Sequence, residues 1–283
     1  MQAKTTSPQD EHPWDRAAQG WNRYSPVVNA WLADVTQAML AEAKVGPGAR
    51  VLDVAAGAGG QTLAIARLVG DTGQVWATDI SPRILALAQE NAAGAGFANV
   101  RTQVADAQAL GLAGAGFDCA VSRLGLMFCT DPGAALGGIA QALKAGGHFA
   151  AVVFSHPQAN PCAATLMSTA CRHAGRPPPP PFEPGTLFSL GKPGLMAELL
   201  RSAGFASVAV RPVAAPFHLP SARHYLEFVR AAGSPVIEIL AQLAPAAQQA
   251  AWDDMAAALE RFAQPSGWTG PNELLLCSAC RPV

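Results

Sequence analysis

The chain has 283 residues, half of them apolar and only 14% charged, which is typical of a globular chain with a large core. Its 19 basic and 20 acidic side chains nearly cancel, so a nucleic acid or another polyanionic partner is not expected. The sequence has six cysteines, a polar N-terminal stretch, and no apolar run of the roughly 18 residues that a membrane span needs. We therefore expect a cytoplasmic protein without integral membrane contact.

The first predicted elements precede the main α/β pattern. Residues 1–20 are polar and are predicted to be a flexible lead-in. From Trp21 to Ala43, apolar residues recur at helical spacing, and Pro26 lies near the predicted start of a helix. A Gly-Pro-Gly turn at residues 46–48 then separates this helix from the first strand.

Strands and helices alternate between residues 48 and 154. The strand-like runs are ARVLDVAA, QVWATDI, NVRTQVADA, FDCAVSRLGL and HFAAVVF. Helices are predicted between them at about residues 60–69, 82–93 and 132–143, and Ser81 is a candidate N-cap. This alternation predicts a parallel sheet with right-handed crossovers.

Beyond residue 155 the alternation loosens. Helical segments are predicted at about residues 160–174, 193–203, 221–232 and 235–263, and five consecutive prolines at 177–181 form a stiff spacer. A sixth strand, FASVAVRPV, is followed by the second helical stretch, the loop QPSGWTGPN and a last strand, ELLLCSAC. The sequence thus predicts a Rossmann-like, doubly wound α/β fold. Its seven-stranded, mostly parallel sheet is capped by helical insertions after strands five and six.

The most informative stretch is VLDVAAGAGG, residues 51–60, in which an acid and a glycine-rich turn join a strand to a helix. In open α/β sheets, ligands bind outside the carboxyl ends of the strands, where small residues and a helix N-terminus admit them. Asp53 would repel a pyrophosphate but would hold an ammonium group through water or backbone amides. Asp79 follows Gly59 by 20 residues, a spacing at which an acid can accept both ribose hydroxyls.

Two further strand ends carry polar residues. Asp106 closes the third strand, and Ser122 and Arg123 close the fourth. The order and spacing of these strand ends resemble class I S-adenosylmethionine-dependent methyltransferases. The resemblance is strongest over residues 45–155, where ALKAGGHFAAVVF is similar to that family's turn into strand five.

The resemblance implies a role for each matching residue. The turn after strand one would hold the methionine part of the cofactor, and Asp79 would take the ribose hydroxyls. Asp106 would meet the adenine amino group, and the backbone N–H of Ala107 a ring nitrogen. The implied S-adenosylmethionine site comprises Tyr24, Asp53, Ala55, Gly57, Gly59, Asp79, Ile80, Asp106, Ala107, Ser122 and Arg123. Ala55 stands where the family usually has a glycine, and Arg123 either holds a carboxylate or is a surface arginine.

The segments WDRAAQGWNRYSP and SRLGLMFCTDPGAAL are similar to the small-molecule branch that includes the ubiquinone- and menaquinone-biosynthesis methyltransferases. In that branch the N-terminal helix folds over the cofactor, so Tyr24 and Trp21 are either cofactor contacts or core aromatics. The resemblance implies a lead-in and lid helix at residues 1–44 and a methyltransferase domain at 45–283. Within that domain we expect a core at 45–155 and cap insertions at about 156–203 and 213–272.

Candidate catalytic residues lie beyond strand five. His156 follows that strand directly, and a histidine can take a proton near neutral pH, so it is the candidate general base. Three weaker candidates lie in the predicted cap: His173, His218 and His224. No metal site is predicted, because Cys277 and Cys280, although spaced as C-x-x-C, would point to opposite faces of a strand.

These features favour S-adenosylmethionine-dependent methyl transfer to an oxygen or an activated carbon of a hydrophobic small molecule, aromatic or quinone- or polyketide-like. The end of strand four reads SRLG, unlike the Asn/Asp-Pro-Pro-Tyr of methyltransferases that act on amide or nucleobase nitrogens. Two alternatives stay open: a protein that binds S-adenosylmethionine without methyl transfer, as regulator or subunit, and a nicotinamide-dependent oxidoreductase. The acceptor and the oligomeric state, monomer or homodimer, also stay open.

Overall fold

The computed structural model describes residues 12–283. These residues form ten strands: β1 (Arg50–Val54), β2 (Gln74–Asp79), β3 (Val100–Val104), β4 (Phe117–Arg123), β5 (Leu143–Phe154), β6 (Ala206–Ala214), β7 (Phe217–Leu219), β8 (Ala263–Gln264), β9 (Gly267–Gly270) and β10 (Glu273–Cys280). They also form eleven α-helices: α1 (Pro13–Arg23), α2 (Ser25–Trp31), α3 (Ala33–Glu42), α4 (Gly60–Val69), α5 (Pro82–Gly94), α6 (Pro132–Ala142), α7 (Pro161–His173), α8 (Leu195–Ser202), α9 (Ala222–Ala232), α10 (Ser234–Leu240) and α11 (Pro245–Leu259).

The main sheet has seven strands in the order β3-β2-β1-β4-β5-β10-β6. Five neighbouring strands, β3 to β5 in that order, pair in parallel, whereas β10 runs antiparallel to both β5 and β6. The order reverses between β1 and β4, which is where open α/β sheets bind ligands. The predicted fold class is confirmed. Ser81 caps α5 as expected, because its hydroxyl accepts the N–H of Ile84 at 3.1 Å.

The N-terminal segment corrects one prediction. Residues 13–20 belong to helix α1 and are not a flexible lead-in, whereas residues 1–11 lie outside the described residues. The helix packs between α5 and α9, and Trp14, Ala17, Ala18 and Trp21 have the i, i+3, i+4, i+7 spacing of a buried helical face. That spacing is the sequence signal from which the helix could have been predicted.

The second insertion also differs from the prediction. The expected helix at residues 235–263 is broken into α10 and α11, because the chain turns at 241–244 before Pro245. The expected loop QPSGWTGPN contains strand β9, which pairs antiparallel with β7 and β8 in a small second sheet. Trp268 of β9 is buried, and its indole N–H donates to the carbonyl of Leu259 at 2.9 Å. This small sheet therefore anchors α11 to the start of α9.

Three other properties of the described residues bear on function. Within residues 12–283, no helix combines the length and apolar character needed to cross a bilayer. No cluster of three or more His, Cys, Asp or Glu side chains that could hold a metal ion occurs in the same part of the chain. All six cysteines are free, and burial raises the pKa of Cys277 in β10 to about 12, so this thiol stays protonated.

Candidate functional site

A cavity of about 310 Å³ lies at the carboxyl ends of the parallel strands. Its sheet side is formed by residues 55–58 after β1, by Asp79 at the end of β2 with Ile80 after it, and by residues 105–108 after β3. Helices α1 and α2 form a second side, and side chains from α7, α9, α10 and β7 form the third. The predicted insertions thus cover the carboxyl edge of the sheet, and one cavity joins the glycine-rich turn to the cap.

The glycine-rich turn is tied to β2 through Asp79. One carboxylate oxygen accepts the backbone N–H of Gly57 at 3.0 Å, and the other accepts that of Ser81, also at 3.0 Å. Burial raises the pKa of Asp79, and these hydrogen bonds oppose that shift. Gly57 has a φ of +58°, and its missing Cβ would meet only Ile84, at 4.0 Å. A ligand can therefore approach the backbone here, beside a carboxylate that retains free lone pairs.

Asp53 is buried at the end of β1 and does not line the cavity. Its carboxylate accepts the side-chain amide of Gln61 at 3.0 Å and the hydroxyl of Thr62 at 2.6 Å, so it holds the first turn of α4. Burial raises its pKa to about 6, although both hydrogen bonds lower it. The structure thus places Asp53 behind the turn, as a residue that positions the turn and Gln61.

This buried carboxylate predicts a specific pH dependence of stability. The folded pKa of about 6 lies above the value of about 3.9 expected in the unfolded chain. The Asp53 carboxyl therefore binds its proton more tightly in the native state than in the unfolded chain. This protonation stabilises the native state below about pH 4, and the stabilisation is lost as the pH rises through about 6. We expect the free energy of unfolding of Asp53→Asn, minus that of the wild type, to rise by up to about 3 kcal/mol between about pH 4 and 7. Urea denaturation of both proteins measures it, and a constant difference would contradict it.

Asp106 and Ala107 lie at the cavity edge after β3. The Asp106 carboxylate caps a short 3₁₀ turn by accepting the backbone N–H of Gln108 at 2.9 Å, and it also contacts the side-chain amide of that residue. The side-chain oxygen Oε1 of Gln108 in turn accepts the backbone N–H of Asp131 at 2.7 Å. The Asp106 carboxylate is therefore held in place in the cavity lining, and Ile80, which is 38% exposed, also lines the cavity.

Arg123 places a positive charge in the cavity wall at the end of β4. Its guanidinium donates to the hydroxyl of Thr36 at 2.8 Å and to the side-chain oxygen of Asn29 at 3.3 Å. Among the described residues no carboxylate oxygen lies within 4.0 Å of it. Burial lowers its pKa to about 10, and the charge of Asp53 opposes that shift. The guanidinium stays protonated and can still take an anionic group of a ligand.

At Gly60, the start of α4 lies very close to the side chains of Asn29 in α2 and of Arg123. A Cβ on Gly60, the first residue of α4, would lie 2.4 Å from the Asn29 side-chain oxygen and 2.9 Å from a guanidinium nitrogen of Arg123. Glycine at position 60 therefore lets the Asn29 and Arg123 side chains lie directly against the start of α4. The side of the cavity formed by α2 thus depends on a residue that the sequence analysis did not assign to the site.

A strained corner lies where β1 and β4 face the cavity. Ala55 and Leu124 both have positive φ angles, 57° and 58°, which are unfavourable for residues with a Cβ. Between these two backbones, a Cβ on Gly125 would lie 2.3 Å from the Cβ of Ala55. The alanine that replaces the family's usual glycine is therefore accommodated by the glycine at position 125.

Gly125→Ala should therefore destabilise the protein by about 1–3 kcal/mol, because the added methyl group overpacks this corner. Ala55→Gly should restore most of that loss in the double variant, and thermal unfolding of the four proteins of the cycle measures the coupling. Gly46→Ala is the control, because no atom lies within 4 Å of its Cβ position. Equal losses in the presence and absence of Ala55→Gly would contradict the proposed contact.

Six aromatic side chains of the cavity lining form a connected cluster, here called the aromatic wall: Trp21, Trp31, Phe154, Phe217, Tyr225 and Phe228. Trp31 stacks on Phe217 at 3.9 Å, and Tyr225 packs edge-on against Phe217 at 5.0 Å. Trp21 meets Phe228 at 5.9 Å. The lining residues from 154 to 236 contain no charged side chain and no histidine. These six aromatics come from five elements and share no sequence motif, so they could not be predicted as a group from the sequence.

Seven predicted cofactor residues line the cavity: Ala55, Gly57, Asp79, Ile80, Asp106, Ala107 and Arg123. Four do not: Tyr24, Asp53, Gly59 and Ser122. Tyr24 packs against Phe228 from behind at 5.8 Å, whereas Trp21, the alternative contact, does line the cavity. Gly59 faces α5, with its Cβ position 3.2 Å from Ala88, and Ser122 is buried with an unpartnered hydroxyl.

The structure does not bring His156 to the cavity. The amide of Asn160 donates to the Ser155 hydroxyl at 3.0 Å and to the His156 carbonyl at 3.1 Å, which turns the chain away from the cavity after β5. The His156 ring lies instead beside Gln158 and 4.0 Å from the carboxylate of Glu273. The three weaker candidates, His173, His218 and His224, also lie outside the lining. The structure therefore gives no support to His156 as the general base.

Comparison with known proteins agrees with this geometry. Residues 46–176 match the family model of a methyltransferase domain. Over 115 residues the chain is 43% identical to the ubiquinone/menaquinone biosynthesis C-methyltransferase UbiE of Teredinibacter turnerae, a match covering 40% of this chain and 46% of that protein. The chain thus spans about half the length of the curated relatives it matches.

Two solved structures share the fold. The [4+2]-cyclase SpnF is 19% identical, with a TM-score of 0.58, and the match covers 96% of this chain and 97% of that one. The phosphoethanolamine N-methyltransferase 2 of Haemonchus contortus, solved with S-adenosyl-L-methionine, is 17% identical, with a TM-score of 0.57 and coverage of 93% and 57%. At these identities the likeness shows the fold alone, and the two reactions named differ.

Proposed function

We propose, from the confirmed resemblance of this chain to class I S-adenosylmethionine-dependent methyltransferases, that it transfers a methyl group from S-adenosylmethionine to a hydrophobic small molecule. The observation that carries this proposal is the single cavity that joins two unlike halves. One half has the glycine-rich turn with Asp79 and Asp106, and the other has the aromatic wall. A polar cofactor and an apolar acceptor would therefore meet in the same cavity.

The residues of the first half fit the cofactor. The open backbone at Gly57 and the positive charge of Arg123 suit its amino-acid part, the free lone pairs of Asp79 suit two ribose hydroxyls, and Asp106 suits the adenine amino group. When bound, S-adenosylmethionine supplies a methyl group on a positively charged sulfur, which is already strongly electrophilic. The protein then has to orient the acceptor and exclude water.

The lining of the second half indicates which chemical class of acceptor can bind there. Because its lining residues from 154 to 236 hold no carboxylate or histidine, an acceptor with an acidic phenol or enol fits better than one that needs a strong base. The aromatic wall favours a flat apolar ring. The name of the Teredinibacter turnerae relative suggests a quinone-type ring methylated at carbon, and methylation at oxygen is the other form of the same proposal.

Methyl transfer from labelled S-adenosylmethionine to a panel of phenols, quinols and polyketide-like enols tests this proposal. We expect turnover on apolar ring acceptors and none with Asp79→Asn at the same protein concentration. Product analysis by mass spectrometry and NMR would separate carbon from oxygen methylation. Turnover only on polar amines or on proteins would contradict the proposed acceptor class.

Binding of the cofactor without methyl transfer is the second candidate. It is favoured by the position of His156 outside the cavity. Tight binding of S-adenosylhomocysteine, no turnover on the whole panel and a stable partner on purification would support it. Binding of NAD(H) but not of S-adenosylhomocysteine in calorimetry would instead favour a nicotinamide-dependent oxidoreductase.

The cellular location and the binding partners of the protein are further parts of the proposed function. We propose that the protein works in the cytoplasm on a small-molecule acceptor. We also propose that it does not bind nucleic acid, because its 19 basic side chains are balanced by 20 acidic ones. Fractionation of the source cells tests the location. Light scattering after gel filtration distinguishes a monomer from a homodimer.

A further inference from the structure

Two hydrogen-bond donors in the aromatic wall have no partner among the described residues. The indole nitrogen of Trp21 is buried and unpaired. The hydroxyl of Tyr225 also has no hydrogen-bond partner in residues 12–283, although the residue is only 4% exposed. By contrast, the indole N–H of Trp31 in the same wall donates to the carbonyl of Ala215 at 2.6 Å. Both unpaired donors belong to residues that line the cavity.

A fully buried donor such as the Trp21 indole N–H is rarely left unpaired in native proteins, because burial without a partner is destabilising. The Tyr225 hydroxyl oxygen, in contrast, is not fully buried. The two donors lie at opposite ends of one chain of ring contacts. Trp21 meets Phe228 at 5.9 Å, Phe228 meets Phe217 at 6.1 Å, and Phe217 meets Tyr225 at 5.0 Å. Both donors therefore belong to one connected set of rings in the cavity lining.

We propose that Trp21 and Tyr225 determine the specificity for the methyl acceptor by donating hydrogen bonds to two of its oxygen atoms. The acceptor is then an apolar ring compound with carbonyl, hydroxyl or ionised hydroxyl oxygens at separate positions. This inference rests on the proposed function, since it names the acceptor class of the same cavity.

The part of the cavity lining between residues 154 and 236 disfavours charged acceptor groups. A protonated amine would find no carboxylate among the lining residues from 154 to 236, and a phosphate or carboxylate would find no cation there. Burial also raises the pKa of Tyr225, so its hydroxyl stays protonated and acts as a donor. An ionised phenol or enol oxygen is the partner that such donors stabilise best.

Equilibrium dialysis with protein saturated with S-adenosylhomocysteine tests this inference with three probes of equal ring size: 1,5-dihydroxynaphthalene, naphthalene and 1-naphthylmethylamine. We expect the wild type to bind the dihydroxy compound roughly tenfold more tightly than naphthalene and the amine most weakly. Trp21→Phe and Tyr225→Phe should each remove roughly threefold to tenfold of the affinity for the dihydroxy compound and leave naphthalene unchanged. The control variants are Tyr24→Phe, at the chain's only other tyrosine, and Trp252→Phe. Both make the same chemical change at residues outside the cavity lining, so the affinities for 1,5-dihydroxynaphthalene and naphthalene should stay unchanged.

The outcomes separate the inference from the function on which it rests. If calorimetry shows no binding of S-adenosylhomocysteine to the wild type, the proposed function itself fails. If the cofactor product binds but the variants keep full affinity for 1,5-dihydroxynaphthalene, only the inference fails. Equal weakening of naphthalene and its dihydroxy derivative would show that both residues act by packing, and tightest binding of the amine would also overturn the inference.

Discussion

Asp79→Asn is expected to weaken binding of S-adenosylhomocysteine by about 100-fold or more, since two charge-assisted hydrogen bonds to the ribose would be lost. The carboxylate already accepts the backbone N–H groups of Gly57 and Ser81, each at 3.0 Å. An asparagine has one oxygen and one N–H₂ group, so it cannot accept both backbone donors and both ribose hydroxyls. Isothermal titration calorimetry measures the change in affinity.

Asp118→Asn is the matched control for this variant. Asp118 lies near the start of β4, at the amino end of the parallel strands and away from the cavity lining, and it accepts the backbone N–H of Arg50 at 2.7 Å. Its replacement should leave the affinity for S-adenosylhomocysteine unchanged. Near wild-type affinity in Asp79→Asn, with thermal unfolding showing an intact fold, would contradict the assigned ribose contact.

The second large effect is expected at Gly20, where α1 touches α9 backbone to backbone. A Cβ on Gly20 would lie 1.7 Å from the carbonyl oxygen of Ala231 and 2.5 Å from its carbonyl carbon. Neither atom belongs to a flexible side chain, so Gly20→Ala must force the two helices apart. We expect a loss of about 3 kcal/mol of stability, at the upper end for overpacking. We also expect faster release of S-adenosylhomocysteine, because both helices line the cavity.

Gly137→Ala serves as the control, because this glycine also lies inside a helix, α6, but no atom comes within 4 Å of its Cβ position. It should be neutral or stabilise the protein by up to about 1 kcal/mol. Thermal unfolding and stopped-flow displacement of S-adenosylhomocysteine measure the two effects. A Gly20→Ala protein with wild-type stability and release rate would show that α1 does not close the cavity against α9.

The sheet and the first half of the site could be predicted because their signals are local. The strand, the glycine-rich turn and the helix after it occupy one continuous stretch, residues 51–60, and backbone geometry dictates the residue types there. Asp79 and Asp106 follow two further strands, whose carboxyl ends must meet at one edge of a parallel sheet. Their presence at the cavity follows from topology.

The second half could not be predicted because its residues meet only through tertiary packing. Trp21, Trp31, Phe217, Tyr225 and Phe228 come from four separate elements, and hydrophobic spacing places each of them only in a core. The same limit explains Asp53. From sequence it is an acid beside a ligand site, whereas the structure shows its oxygens bonded to Gln61 and Thr62.

His156 shows how a short turn can redirect a side chain that lies correctly along the sequence. It follows β5 at the expected edge of the sheet, but Asn160 bonds both to Ser155 and to the His156 carbonyl. Its amide oxygen also accepts the backbone N–H of Glu273 at 3.0 Å. This asparagine joins the end of β5 to the start of β10, and the histidine lies outside the cavity as a result.

A crystal structure of the protein with S-adenosylhomocysteine tests most directly whether the two halves of the cavity serve one reaction. We predict the ribose at Asp79, the adenine at Asp106, the amino-acid part along residues 55–58 toward Arg123, and the sulfur facing the aromatic wall. Electron density for the ligand outside this cavity would contradict the proposed function. So would a bound pose in which the sulfur points away from Trp21 and Tyr225.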